Sequence, residues 1–201
     1  MFTSQLTQVN NSLPEGVHLL AVSKGQPVSA IRVLATNGQI DFGESRLQEA
    51  LPKLNALKDF KELRWHFIGR LQSNKVRGVV QSFDMIHSVD SLLLAQRISR
   101  ISGEEKRCPK IFLQVKFRED PSKGGFSKDQ LLEDWPRLIE LPNVEFVGLM
   151  TISPKNTDLL DRKKLFVDCR VLADKLNLKD CSMGMSSDWK EALMAGATWL
   201  R

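Results

Sequence analysis

Tyrosine is absent from this chain, so no phenolic hydroxyl is available as an acid, a base or a hydrogen-bonding handle on a buried ring. Cysteine is scarce. Cys108, Cys169 and Cys181 stand far apart, with no Cys-x-x-Cys or Cys/His spacing. An odd count without that spacing gives no zinc site and argues against a disulfide framework, which leaves buried or inert thiols. No metal site is expected. No apolar run is long enough to cross a bilayer. Met1 to Pro14 carries no basic stretch leading into an apolar one, so it does not read as a secretory signal. It reads as a short amphipathic helix with Phe2, Leu6 and Val9 on one side, and a cytoplasmic location is expected. Arginine-rich arms and aromatic platforms are also missing. The net charge of +5, from 29 basic and 24 acidic residues, suits an anionic ligand. Because these charges are scattered, nucleic-acid binding is not expected.

What is present is alternation. Short apolar or β-branched runs at Leu19–Lys24, Ile40–Glu44, Trp65–Gly69, Met85–Ser88, Ile111–Phe117, Glu145–Thr151, Ser182–Ser186 and Thr198–Arg201 read as strands. Between them, Val28–Thr36, Leu47–Leu57, Lys75–Gln81, Leu92–Ile101, Asp129–Leu141, Leu160–Leu176 and Trp189–Ala195 carry apolar residues at helical spacing. Gly38, Gly103 and Gly196 sit where C-caps belong. Repeated strand–helix alternation over 201 residues predicts one domain, residues 1–201, folded as a (β/α)8 barrel. The competing open doubly wound sheet lacks its Gly-x-Gly-x-x-Gly after the first strand. Glu119–Phe126, with a Pro and paired glycines, is the most loop-like stretch.

In such barrels functional residues lie at the C-terminal ends of the strands. In order these are Lys24, then Glu44-Ser45-Arg46, then His66 to Gly69 with Gln72 and Asn74 beyond. His87-Ser88, Lys116, Met150-Thr151, Ser186-Ser187 and Arg201 follow. Lys24 is the most informative. A lysine at the mouth of a buried strand loses hydration unless it finds a partner or gives up its charge. A desolvated amine is what condenses with an aldehyde. The plainer reading is a strand-end lysine that reaches water. With serine, arginine and backbone turns on the same rim, the pattern suits a phosphorylated aldehyde. Ser186, beside a helix start, would bind phosphate, and Arg201 would face an aromatic nitrogen. Plainer readings stand beside these. His66 and His87 read as hydrogen-bonded core histidines, and Ser186-Ser187-Asp188 as a helix N-cap. Arg46 and Glu49 read as a solvated charge pair, and Met183 and Met185 as barrel filling.

The segments AVSKGQPVSAI (21–31), DFGESRLQEA (41–50), WHFIGRLQSNKV (65–76), IHSVDS (86–91), GLMTI (148–152) and SMGMSSDWKEALMAGATWLR (182–201) carry a resemblance. Together they resemble the pyridoxal phosphate homeostasis protein family, from about residue 15 to the last residue. The resemblance implies a modified TIM barrel of PLP fold-type III, like the N-terminal domain of bacterial alanine racemase. It implies pyridoxal 5′-phosphate (PLP) held as a Schiff base on Lys24, phosphate contacts from Ser186, and Arg201 at the pyridine nitrogen. His66, Ile68, Ser88 and Met150 would line the cofactor's surroundings. Two departures matter. Ser45 stands where the family has an asparagine near the cofactor. The family's phosphate-binding Gly-Ser/Thr pair would follow Arg201, so the last strand and helix are expected to be truncated or absent. Barrel closure and cofactor affinity both depend on that region.

Within the resemblance, the function implied is a non-catalytic carrier or buffer of PLP that affects vitamin B6 and amino-acid/keto-acid balance. It would act as a monomer and hand cofactor to apo PLP enzymes. In alanine racemases a tyrosine from a second domain serves the cofactor face opposite the lysine, and this chain has no tyrosine. An arginine at the pyridine nitrogen also leaves the ring a poorer electron sink. Two alternatives stay open: a small fold-type III PLP enzyme of racemase or decarboxylase type, and an aldolase-like barrel using Lys24 on a sugar phosphate.

Overall fold

The computed structural model describes residues 9, 12–120, 123–155 and 157–201. Phe2 and Leu6, expected on the N-terminal helix face, lie outside these described residues. Nine strand segments form one parallel sheet in the order β1-β9-β8-β7-β6-β5-β4-β3-β2. They are β1 His18–Leu19, β2 Ala21–Val22, β3 Asp41–Glu44, β4 Arg64–Phe67, β5 Met85–Val89, β6 Lys110–Gln114, β7 Glu145–Met150, β8 Asp180–Ser182 and β9 Trp199–Leu200.

β1 and β2 are one extended run split only at Leu20. Its first half bonds the last strand, with His18 N–H on Thr198 O and Leu20 N–H on Leu200 O, both at 2.8 Å. Its second half bonds β3, with Ser23 N–H on Gly43 O at 2.9 Å. Joining the two halves turns nine segments into eight strands and closes the sheet into a barrel. β9, of two residues, pairs with a neighbour on each side.

The strand pleat divides the apolar residues into two sets. Phe42, Trp65, Ile86, Ile111, Leu113, Leu149, Cys181 and Leu200 point outward and pack with apolar residues of the surrounding helices, among them Ile31, Val79, Ile98, Leu131, Phe166 and Ala192. Leu20, Met85, Phe112, Met150 and Trp199 form a separate cluster inside the barrel. Helices cover the outside at Val28–Thr36, Leu47–Ala56, Val76–Ser82, Leu92–Glu104, Lys128–Leu138, Leu159–Lys175 and Trp189–Met194. Ser91, Ser127 and Asp158 cap three of them by accepting from backbone N–H groups one turn on.

Several details differ from expectation. Gly38 and Gly196 take the left-handed conformation at helix ends, but Gly103 lies inside a helix and Lys106 supplies the positive φ beyond it. A Cβ on Gly103 would sit 2.8 Å from the Asn143 side chain, so the glycine serves packing there. β8 begins earlier than read from sequence and stops at Ser182, because Gly184 turns the chain with φ +93° against Ala192. Phe126, at the end of the loop-like stretch, is fully buried and bridges Val115. Cys169 and Cys181 are buried, whereas Cys108 is exposed. Among the described residues no helix is long and apolar enough to cross a membrane.

Candidate functional site at the mouth of the barrel

The C-terminal ends of the strands bring the expected residues to one end of the barrel, but at different depths. Leu20, inside the barrel, sets the phase of the first strand, so Lys24 follows on the inward-facing side. Lys24 sits in a turn closed by Gln26 N–H on Ser23 O at 3.0 Å. It is exposed, so the desolvation expected of a strand-end lysine is not imposed by its own fold. Ser45 follows β3 and is half-buried. Its carbonyl oxygen would lie 2.0 Å from a Cβ on Gly69, so β4 leaves the barrel pressed against Ser45 as only glycine allows. Ile68 is half-buried just before that contact, its Cδ1 close to Gly43.

His66 and Met150 lie deeper, at 0% and 1% exposure. Met150 belongs to the interior cluster with Leu20, Phe112 and Trp199. His66 has both ring nitrogens engaged, as a core histidine would. Its Nε2 lies 2.9 Å from Asp41 Oδ1 and its Nδ1 lies 2.9 Å from His87 Nε2. His87 Nδ1 in turn lies 2.9 Å from Ser182 Oγ. Asp41 also accepts from Arg64 at 2.7 Å. An ionised Asp41 can only accept, so the protons are ordered along the whole chain. His66 donates to Asp41, His87 donates to His66, and Ser182 donates to His87.

The charges agree with that order. Burial alone would raise the Asp41 carboxyl, but hydrogen bonds from His66 and Arg64 hold it below its usual range. Burial pushes the His66 imidazole down against the pull of Asp41. Burial, then His66 and Arg201, push His87 well below the usual histidine value. Both rings are therefore neutral donors and acceptors. Sequence reasoning missed Asp41 and Ser182 as members of this chain. The signal available was a run of polar residues in the inward phase of successive strands.

Arg201 follows β9. Its backbone N–H bonds Gly184 O at 3.0 Å, and its Nη2 donates to Thr151 O at 2.9 Å. Its Nε is buried with no partner among the described residues. Burial, opposed by Asp188 and Cys169, lowers the guanidinium to about 10, still charged at neutral pH. Ser88 is buried and its Oγ is also without a partner. Ser186 is exposed in the turn before Trp189–Met194. The N-cap reading fails in detail, because Asp188 Oδ1 accepts from Met185 N–H at 2.6 Å rather than from the helix. Arg46 and Glu49 form the expected local pair at 2.7 Å. Among the described residues no group of three or more His, Cys, Asp or Glu could hold a metal.

The mouth thus offers an exposed primary amine after the first strand and, after the neighbouring β9, a buried guanidinium N–H with no acceptor among the described residues. A planar ligand bearing an aldehyde and an acceptor nitrogen matches that donor set. Residues 2–201 match the family described as alanine racemase, N-terminal domain. A pyridoxal phosphate homeostasis protein of Synechocystis is 43% identical over 98% of this chain and 94% of that protein. PipY of Synechococcus elongatus, solved with PLP bound, is 43% identical and superposes with a TM-score of 0.96 over 100% of this chain and 97% of that one. An alanine racemase of Clostridium difficile shares the fold with a TM-score of 0.81 at 15% identity, over 98% of this chain and 56% of that one. This chain therefore belongs to the alanine racemase N-terminal domain family and, within it, to the pyridoxal phosphate homeostasis proteins.

Proposed function

We propose that this chain binds PLP at the barrel mouth and serves in PLP homeostasis as a carrier or buffer rather than as an enzyme. The observation that carries the reading is the buried, unpartnered Nε of Arg201 on the same rim as Lys24. An orphaned buried donor costs about 1–3 kcal/mol, which an acceptor atom of a bound ligand would offset. Lys24 would hold the cofactor covalently through its aldehyde, and Arg201 would donate to the ring nitrogen. Ser186 and the partnerless Ser88 hydroxyl supply further donors, and Ser45 and Ile68 border the space. His66 and Met150 would act from below, His66 by fixing the barrel floor. Bound PLP supplies an electrophilic aldehyde and an electron-withdrawing ring.

The chain's own residues favour holding over turnover. Arg201 remains charged, so it donates to a ring nitrogen and leaves that nitrogen unprotonated, which weakens carbanion stabilisation. The chain has no tyrosine, and His66 and His87 are committed to the buried relay, so neither residue type supplies the acid–base group that racemisation would need from those positions. Residues 1–201 would act as a single unit, monomeric and cytoplasmic, passing cofactor to apo PLP enzymes.

An absorption spectrum before and after borohydride tests this reading, with mass analysis of the peptide carrying Lys24. The expected result is a visible band that reduction removes, a pyridoxyl mass on Lys24, and no band in Lys24→Ala. Amino acids should exchange no α-proton with solvent at a catalytic rate. Robust exchange with any amino acid would replace the carrier by an enzyme, and no band with added PLP would overturn the reading.

A further inference from the structure

The backbone that carries Lys24 is fastened from outside the barrel by a buried charge that the reading above does not use. Glu44, the last residue of β3, is fully buried. Its neighbour in the fold is Lys53, on the helix Leu47–Ala56 and only 9% exposed. Lys53 Nζ meets Glu44 Oε1 at 2.7 Å and also donates to the Ser23 carbonyl at 2.8 Å. Ser23 Oγ donates to the same Glu44 Oε1, again at 2.7 Å. The other oxygen, Oε2, is buried with no partner among the described residues. One carboxylate oxygen therefore joins β3, a helix and the residue directly before Lys24. Ser23 is gripped at its hydroxyl by Glu44 and at its carbonyl by Lys53.

Burying an ion pair is expensive, and an apolar trio of similar volume would stabilise the fold as well or better. What the pair adds is direction. Ser23 is held at two points, so the strand cannot roll about its axis, and rolling would move Lys24 off the inward phase. The next residue, by contrast, is exposed and makes no described contact that fixes it. We infer that Glu44 and Lys53 are positioning residues that aim Lys24 into the mouth and so set how readily its amine condenses with an aldehyde. This inference rests on Lys24 being the PLP anchor.

The test separates aiming from binding. PLP and pyridoxine 5′-phosphate differ at the reacting carbon, aldehyde against alcohol, so only PLP can be held covalently. Affinities for both would be measured for the wild type, Glu44→Gln, Glu44→Ala and Ser23→Ala. Glu44→Ala should weaken PLP binding by about tenfold or more, while pyridoxine phosphate binding stays within about twofold. Glu44→Gln keeps an acceptor oxygen for Ser23 and should recover part of the loss. Ser23→Ala, which deletes only the hydroxyl's grip, should shift the ratio in the same direction by less, and it keeps the test open if Glu44→Ala fails to fold. Equal losses for both ligands would mark the pair as merely structural and overturn the inference. So would an unchanged ratio in Ser23→Ala and Glu44→Gln. A wild type that binds pyridoxine phosphate and PLP alike, with no adduct, would instead remove the functional reading beneath it.

Discussion

Lys24 and Arg201 stand out in the sequence because each follows an apolar run that reads as a strand, and the structure places both just beyond strand ends, after β2 and β9. The buried relay was not. Asp41, His66, His87 and Ser182 come from four strands, and only the register that sets His66 opposite Gly43 and Met85 brings them together. Each histidine alone reads as an ordinary core residue, which His66 is, and the pattern appears only when the strands are laid side by side. Two outcomes belong to single residues. His87→Phe leaves His66 Nδ1 and the Ser182 hydroxyl without partners in a dry interior. It should cost about 2–4 kcal/mol in urea denaturation, the penalty of orphaning two buried polar groups. Arg201→Met removes the unsatisfied Nε and, on the function proposed above, should weaken pyridoxine phosphate and PLP together, because the proposed contact is to the ring rather than to the aldehyde. A fall in PLP binding alone would place Arg201 elsewhere in the mechanism.

Elements were read more faithfully than their ends. Val28–Thr36 was placed to the residue because Pro27 and Gly38 bracket an amphipathic run. β8 was set too late because Met183, Met185 and their neighbours read as strand, whereas packing against Ala192 forces a turn at Gly184. The junction of β3 and β4 shows what backbone contact demands. Gly69 lies so close to the Ser45 carbonyl that any side chain must push the two strand ends apart. Gly69→Ala should lower stability by about 1–3 kcal/mol, as overpacking does. It should also weaken both PLP and its alcohol analogue, because the displaced segment borders the mouth. Thermal unfolding and a binding titration on the same sample check both parts.

For the whole molecule the interior chemistry predicts an acid limit. Both imidazoles have folded values below the ordinary 6.5. The unfolded chain therefore binds protons that the folded chain refuses, and stability falls as pH drops below about 6.5. Asp41 acts in the same direction but lower down, since its carboxyl lies under the ordinary 3.8 and its contribution is lost only as pH falls through that range. Urea midpoints should thus decline already between about pH 6.5 and 5. In the doubly substituted His66→Gln, His87→Gln protein that early decline should vanish while the carboxylate step remains. A wild-type midpoint flat down to pH 5 would mean that the two rings accept protons without opening the barrel.

The divided first strand also bears on the order in which the protein is made. Leu20 and Ala21 are adjacent, yet one is bonded towards residue 200 and the other towards β3 at Phe42. During synthesis the Ala21 side can zip early, whereas the Leu20 side waits for residue 200. The segment bearing Lys24 is thus pinned on one flank while the other stays open to solvent until β9 has been made. Closure of so distant a pair is slow and comes late. A nascent chain would hold an exposed strand edge until β9 is made, and the barrel mouth would close only then.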